Sequence, residues 1–152
     1  METEQMTALQ IVEKYRTDVE KLLKYLPYFE KMAGKSSSTT YNQEGLSEHS
    51  LTFPVYDSSL LQFVKEAENT VFMDPNYRYV YTRYRLHTAE DELALIDRCT
   101  IREIGAVGGI LSKYVYGGRV KGAVWSEGVR NGVFLAILLK VQELIQFWDH
   151  KK

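Results

Sequence analysis

Apolar residues in the first part of the chain alternate spacings of three and four, at Leu9, Val12, Tyr15, Val19, Leu22, Leu26 and Phe29. That period puts them on one stripe and predicts an amphipathic helix from about Thr3 to Lys24. Pro27 has no N–H and disfavours helical geometry at Leu26, so the helix should kink or restart there, with a short second piece through Met32. The pattern then breaks. Ala33 to Leu51 is rich in serine, threonine and glycine, and reads as a long polar loop or a weak hairpin turning near Glu44 and Gly45. Gly34, Lys35 and Ser36 imitate the tail of a phosphate-binding loop, but Phe29 stands where the first glycine belongs and the preceding segment is helical.

Leu51 to Tyr56 has strand-forming residues around a proline, which allows only a short edge strand or an extended link. Asp57 or Ser58 then caps a helix through about Asn69 that buries Leu60, Leu61, Phe63, Val64 and Ala67. Asp74 followed by Pro75 resembles an N-cap with proline at the first helical position, so Met73 to His87 is predicted to be helical. Thr88 with Asp91 and Thr100 with Glu103 fit capping pairs. They predict a helix from about Ala89 to Arg98, burying Leu93, Ile96 and Ala94, and another from Ile101 to about Tyr116.

In that second helix Gly105, Gly108 and Gly109 each cost about 1 kcal/mol relative to alanine, a cost that close packing of a neighbouring backbone offsets. Gly117 and Gly118 should end it. A further helix from roughly Lys121 to Arg130 should stop at Asn131-Gly132, and a last one from Val133 to about Asp149 carries a wide apolar face. The expected fold is mainly α (α+β with a minor short hairpin or edge strand). It is a compact multi-helix single domain over residues 1–152, with a polar loop or weak hairpin at about 33–52 and a glycine-rich helix packed on a long C-terminal helix.

Composition narrows the function. Nineteen basic and twenty acidic residues give a formal net charge of -1, so no global field draws the chain to nucleic acid or an anionic membrane. One cysteine, Cys99, excludes an internal disulfide. The start METEQMTALQ lacks a signal-peptide pattern, and the longest apolar run, Val133 to Leu139, is far below the roughly 20 residues of a bilayer span. The expected location is cytoplasmic, with no membrane partner. His49, His87 and His150 are scattered and Cys99 has no partner at metal-ligand spacing, so neither a metal nor a cofactor is expected. A Cys99 nucleophile with His87 as base is outweighed by a buried, inert thiol. The acidic start of the helix at Ala89, with Glu90, Asp91 and Glu92, is accounted for by the helix dipole.

Two stretches carry candidate binding residues. On a helix, Tyr77, Val80, Tyr81 and Tyr84 form a stripe with Arg78, Arg83 and Arg85 at its margins. This is either a basic aromatic surface able to stack on bases or nucleotides, or tyrosines packed with hydroxyls at the edge and covered by arginine stems. The packing reading leads. At Gly117 to Lys121, a turn with exposed N–H groups flanked by Arg119 and Lys121 at the start of a helix suits a phosphate or an acidic side chain.

The segments LLKYLPYFE (Leu22 to Glu30), FPVYDSS (Phe53 to Ser59) and YVYGGRVKGAVWSEGVRNGVFLAIL (Tyr114 to Leu138) together resemble a bacterial family, domain of unknown function 6508. The resemblance spans about Leu22 to Leu144. Its most specific element is an Arg-Gly-x-Arg-Phe-x-x-Gly-like run, in which Tyr116 and Val120 here stand for the first arginine and the phenylalanine, beside Gly117, Gly118, Arg119 and Gly122. The resemblance implies a fold and a bacterial or phage setting, and no activity.

The leading expectation is therefore a non-enzymatic binding protein that docks on another macromolecule in a bacterial cell, as a phage or mobile-element inhibitor of a host or defence system. A protein partner is favoured, and a homodimer is compatible with glycine-faced helices. The alternatives are a binder of a nucleotide or other anionic small molecule, through Arg119, Lys121 and the Tyr77 to Arg85 aromatics, and a nucleic-acid-binding module using Arg78, Arg83, Arg85 and Lys113.

Overall fold

The computed structural model describes residues 7–32, 38–40, 54–56, 58–121 and 123–150. Thr7 opens helix α1 (Ala8–Leu23) with a capping box, its hydroxyl accepting from the Gln10 N–H and the Gln10 side chain accepting from the Thr7 N–H. The buried face of α1 is Ala8, Val12, Tyr15, Val19 and Leu22, while Leu9, expected inside, is 45% exposed. Pro27 restarts the chain as α2 (Leu26–Met32), which turns Tyr25 and Phe29 inward. Two three-residue segments, β1 (Ser38–Thr40) and β2 (Pro54–Tyr56), pair antiparallel with Ser38 opposite Tyr56. The turn expected near Glu44 and Gly45 lies outside the described residues.

The rest is helical: α3 (Ser58–Ala67), α4 (Arg78–Tyr84), α5 (Ala89–Arg98), a 3-10 turn (Ile101–Glu103), α6 (Ile104–Val120), α7 (Ala123–Arg130) and α8 (Val133–His150). Helix α8 is the hub. It packs on α1, α2, α5, α6 and α7, and buries Val133, Phe134, Ile137, Leu138, Val141, Leu144 and Ile145. At its start Phe134 meets Phe29, Phe63 and Tyr114 with ring centroids 5.6, 5.2 and 5.6 Å away. Lys140, a buried amine on α8, donates to the Asp97 carbonyl at 2.8 Å and so satisfies an orphan acceptor near the end of α5.

Leu61, expected on the buried side of α3, is 43% exposed, and four further expectations are corrected. Helix α4 begins at Arg78, because Asp74 caps a preceding turn, accepting from the Asn76 N–H at 2.8 Å, rather than the helix itself. On α5 the buried residues are Glu92, Leu95 and Ile96; Ala94 is exposed and Leu93 half-buried. Helix α6 does not stop at Gly117 and Gly118 but runs to Val120, because α7 folds back on that end. Val124 sits against Gly117, and a Cβ on Gly118 would overlap the Trp125 indole, which donates to the Val115 carbonyl at 3.1 Å.

Finally, the α6 glycines do not face α8. Gly108 lies under the Phe72 backbone and Gly109 under Val80 of α4, so these two glycines let α4 and the segment before it settle onto α6. The glycine that meets α8 is Gly128 of α7, which faces the Phe134 ring.

The neighbours of two α6 glycines make a paired expectation. A Cβ at Gly108 would lie 2.8 Å from the Phe72 carbonyl oxygen, a backbone atom with little room to yield. Gly108→Ala is expected to lose about 1–2 kcal/mol despite the gain in helix propensity. At Gly105 nothing lies within 4 Å of such a Cβ. Gly105→Ala should gain up to about 1 kcal/mol. Thermal unfolding of the two variants should move the midpoint in opposite directions.

Candidate functional site

The side of the molecule formed by α4, α5 and α6 holds a buried carboxylate. Glu92 sits one turn into α5, and its spacing to Leu95, Ile96 and Cys99 puts it on the inward face, where it is 2% exposed. A carboxylate there is tolerable only if its oxygens are fully paired. Tyr81 of α4 donates its O–H to Oε2 and Tyr114 of α6 donates to Oε1, both at 2.6 Å. The Lys113 ammonium donates to Oε2 at 3.3 Å and lies 5.1 Å from the centroids of both tyrosine rings. Asn131, in the turn before α8, donates to the Tyr114 oxygen at 3.1 Å. The network therefore ties α4, α5, α6 and the start of α8 to one carboxylate.

The electrostatics follow from that pairing. Burial first, then the hydrogen bond and negative charge of Glu92, push the Tyr81 and Tyr114 hydroxyls well above the ordinary phenol range. Both stay protonated donors throughout the neutral range. Among the described residues no buried side-chain nitrogen or oxygen lacks a hydrogen-bond partner. The site is thus a closed clamp, with its polar groups satisfied by one another.

Outside the clamp lies a cation–aromatic ladder. Tyr77 stacks on Tyr116 at 6.2 Å and meets Tyr81 edge-on at 6.5 Å. The Arg78 guanidinium lies 5.9 Å from the Tyr77 ring, and the Arg119 guanidinium 5.7 Å from the Tyr116 ring. Arg119 also donates to Glu68 at 2.8 Å, which together with the negative charge of Glu68 raises its already high pKa. Beyond Arg119, Val120 is 91% exposed, an apolar side chain held out at the tip of α6.

Of the seven sequence candidates, the structure brings Tyr77, Arg78, Tyr81 and Arg119 together, with Tyr116 as the bridge that the sequence reading left out. Arg83 and Arg85 lie at the other end of α4, where Arg85 ends the helix with φ 56°. Lys121 follows α6 and donates its N–H to the Gly117 carbonyl at 2.9 Å. The premise of the Gly117 to Lys121 anion cradle is therefore corrected. Those residues form the C-terminal turn of α6, where carbonyls and the negative end of the dipole gather, not a turn of free N–H groups at a helix start.

Glu92 was missed because its place in an acidic first turn explained it too readily. Its spacing to the apolar residues of α5 was the available signal. Lys113, expected on a basic surface, is instead paired with Glu92. Burial first and then the Glu103 charge raise the Cys99 thiol to about 11, so little of it is thiolate at neutral pH. Among the described residues no group of three or more His, Cys, Asp or Glu side chains is placed to hold a metal ion, and no helix is long and apolar enough to cross a membrane. No family model, no curated protein and no solved structure matches the chain.

Proposed function

We propose that the protein is a non-enzymatic binding protein that docks on a protein partner through the face built from Tyr77, Arg78, Tyr116, Arg119 and Val120. The observation that carries this reading is the ladder of two stacked tyrosines flanked by two guanidiniums, standing on a buried and fully paired Glu92. Tyrosine and arginine are enriched at interface hot spots, tyrosine because it offers a large contact area with two side-chain torsions and arginine because its planar guanidinium both stacks and donates hydrogen bonds. A face whose supporting residues are locked before binding spends little free energy on ordering. A bacterial cell, and the role of a phage or mobile-element inhibitor of a host or defence system, rest on the family resemblance.

The test is capture of a protein at one-to-one stoichiometry from a bacterial lysate, by the wild type and by Tyr77→Ala/Tyr116→Ala. Losing a central aromatic anchor typically costs about 2 kcal/mol, so affinity for the captured partner should fall at least roughly thirtyfold in the variant. Equal capture by the variant, or no stoichiometric partner, contradicts the reading. Recovery of nucleic acid that is released steeply by salt would favour a nucleic-acid module instead.

A further inference from the structure

A cleft of about 460 Å³ lies where the start of α1, the link between α5 and the 3-10 turn, and the end of α8 meet. Ala8, Cys99, Ile101 and Leu144 line it and are all buried, so the cleft reaches down to the core. Phe147 and Trp148 of α8 add an aromatic wall. Mostly apolar concavities of this size are the usual form of small-molecule sites.

The charge and hydrogen-bonding state of the lining selects the guest. One cation, Arg102, and one anion, Glu143, balance each other in number, and both are engaged. The Glu143 carboxylate lies 3.6 Å from the Lys140 ammonium, and Arg102 has an interaction of its own. The Thr100 N–H donates to Glu103 Oε1 at 3.1 Å, and the Cys99 thiol donates to the Glu103 carbonyl at 3.8 Å. A charged guest would surrender its hydration here and find no excess counter-charge, whereas an apolar guest gives up only unfavourable contact with water.

The wall adds shape. The Phe147 and Trp148 rings are 5.4 Å apart and cross at 86°. A flat guest parallel to one of them stands perpendicular to the other, so one contact is stacked and the other edge-on, the two arrangements that aromatic rings favour.

We propose that this cleft binds a neutral, apolar molecule of two or three aromatic rings, seated on Phe147 and Trp148 with its far edge against Ala8, Ile101 and Leu144. The cleft shares no residue with the docking face. Its 3-10 turn precedes the start of α6, and Tyr116, Arg119 and Val120 stand about three turns further along that helix.

Fluorescence titration of the full chain tests it with two probes of one skeleton, neutral N-phenyl-1-naphthylamine and anionic 8-anilino-1-naphthalenesulfonate. The neutral probe should saturate at one per chain with a dissociation constant below about 100 μM, and the sulfonate should bind at least tenfold more weakly. Phe147 is 51% exposed, so Phe147→Ala should melt close to the wild type and yet lose the neutral probe at least tenfold. Ala8→Leu narrows the cleft from the first turn of α1 and should lose it to a similar degree. Leu61→Ser, which removes an exposed apolar side chain of α3 outside the cleft, should leave binding unchanged. No saturable binding, equal affinity for the sulfonate, or unchanged binding by Phe147→Ala overturns the assignment. So does a dimer in sedimentation velocity that competes with the probe and is lost in Phe147→Ala, since a second copy would then be the occupant.

Discussion

Replacing Glu92 with alanine is expected to destabilise the protein by about 3–5 kcal/mol, a large share of the 5–15 kcal/mol typical of a domain. Truncation leaves the Tyr81 and Tyr114 hydroxyls without their acceptor in a buried site and the Lys113 ammonium without its counter-charge. Desolvation of the two hydroxyls remains while the interaction that offset it is gone, whereas the 44% exposed Lys113 side chain can turn to water. Glu92→Gln should cost less, about 1–2 kcal/mol, because its oxygen accepts from one phenol and its amide can donate to the other. Urea unfolding followed by tryptophan fluorescence checks both, with a lower midpoint and an unchanged slope as the expected signature.

The same clamp gives a pH dependence whose sign is fixed. Tyr81 and Tyr114 have hydroxyl pKa values raised in the folded state, so the unfolded chain loses these protons first. Their contribution is complete below the ordinary phenol pKa of about 10 and declines as pH rises above it, towards the native values. Stability of the wild type should therefore fall steeply in alkali. The fall should be shallower in Glu92→Gln, where the negative charge and its share of the shift are absent.

The second large effect is expected at Phe134. Its side chain is fully buried and fills the space between Phe29, Phe63 and Tyr114 where α2, α3, α6 and α8 meet. Phe134→Ala removes a ring that these elements have no means of replacing, and should cost about 3–5 kcal/mol from lost burial and the residual cavity. Gly128 supplies an internal control. A Cβ there would lie 2.7 Å from the Phe134 ring, so Gly128→Ala should destabilise the wild type yet cost little or even stabilise in the Phe134→Ala background, where the cavity receives it. Equal costs in the two backgrounds would mean that the ring does not set the α7–α8 spacing.

The period of the apolar residues made the helices legible. The capping pair Thr88 and Asp91 placed the start of α5, and Pro27 placed the break between α1 and α2. Glycine was the weak guide. Gly117 and Gly118 carry a strong stop signal locally, yet Val124 and Trp125 pack over them and the helix continues, a tertiary contact that no local pattern contains. Part of the binding face was legible for a similar reason. Tyr77, Arg78 and Tyr81 lie at the start of one short helix, Tyr77 as its N-cap, but Tyr116 and Arg119 join them only because Gly108 and Gly109 let α4 and the segment before it settle onto α6. Glu92 looked like a solvated helix-start charge, and its burial depends on two tyrosine hydroxyls, one from another helix of the same region and one from α6.

That Glu92 holds α4, and with it the tyrosine face, is the central claim, and amide hydrogen exchange along α4 tests it most directly. The carbonyl of Tyr81 receives the Leu86 N–H at 3.0 Å, so this amide reports whether the end of α4 is closed. In Glu92→Gln the amides from Val80 to Leu86 should exchange at least tenfold faster than in the wild type, while those in the middle of α1 and α8 keep their rates. Unchanged exchange in α4, or an equal loss of protection in all helices, would contradict the claim.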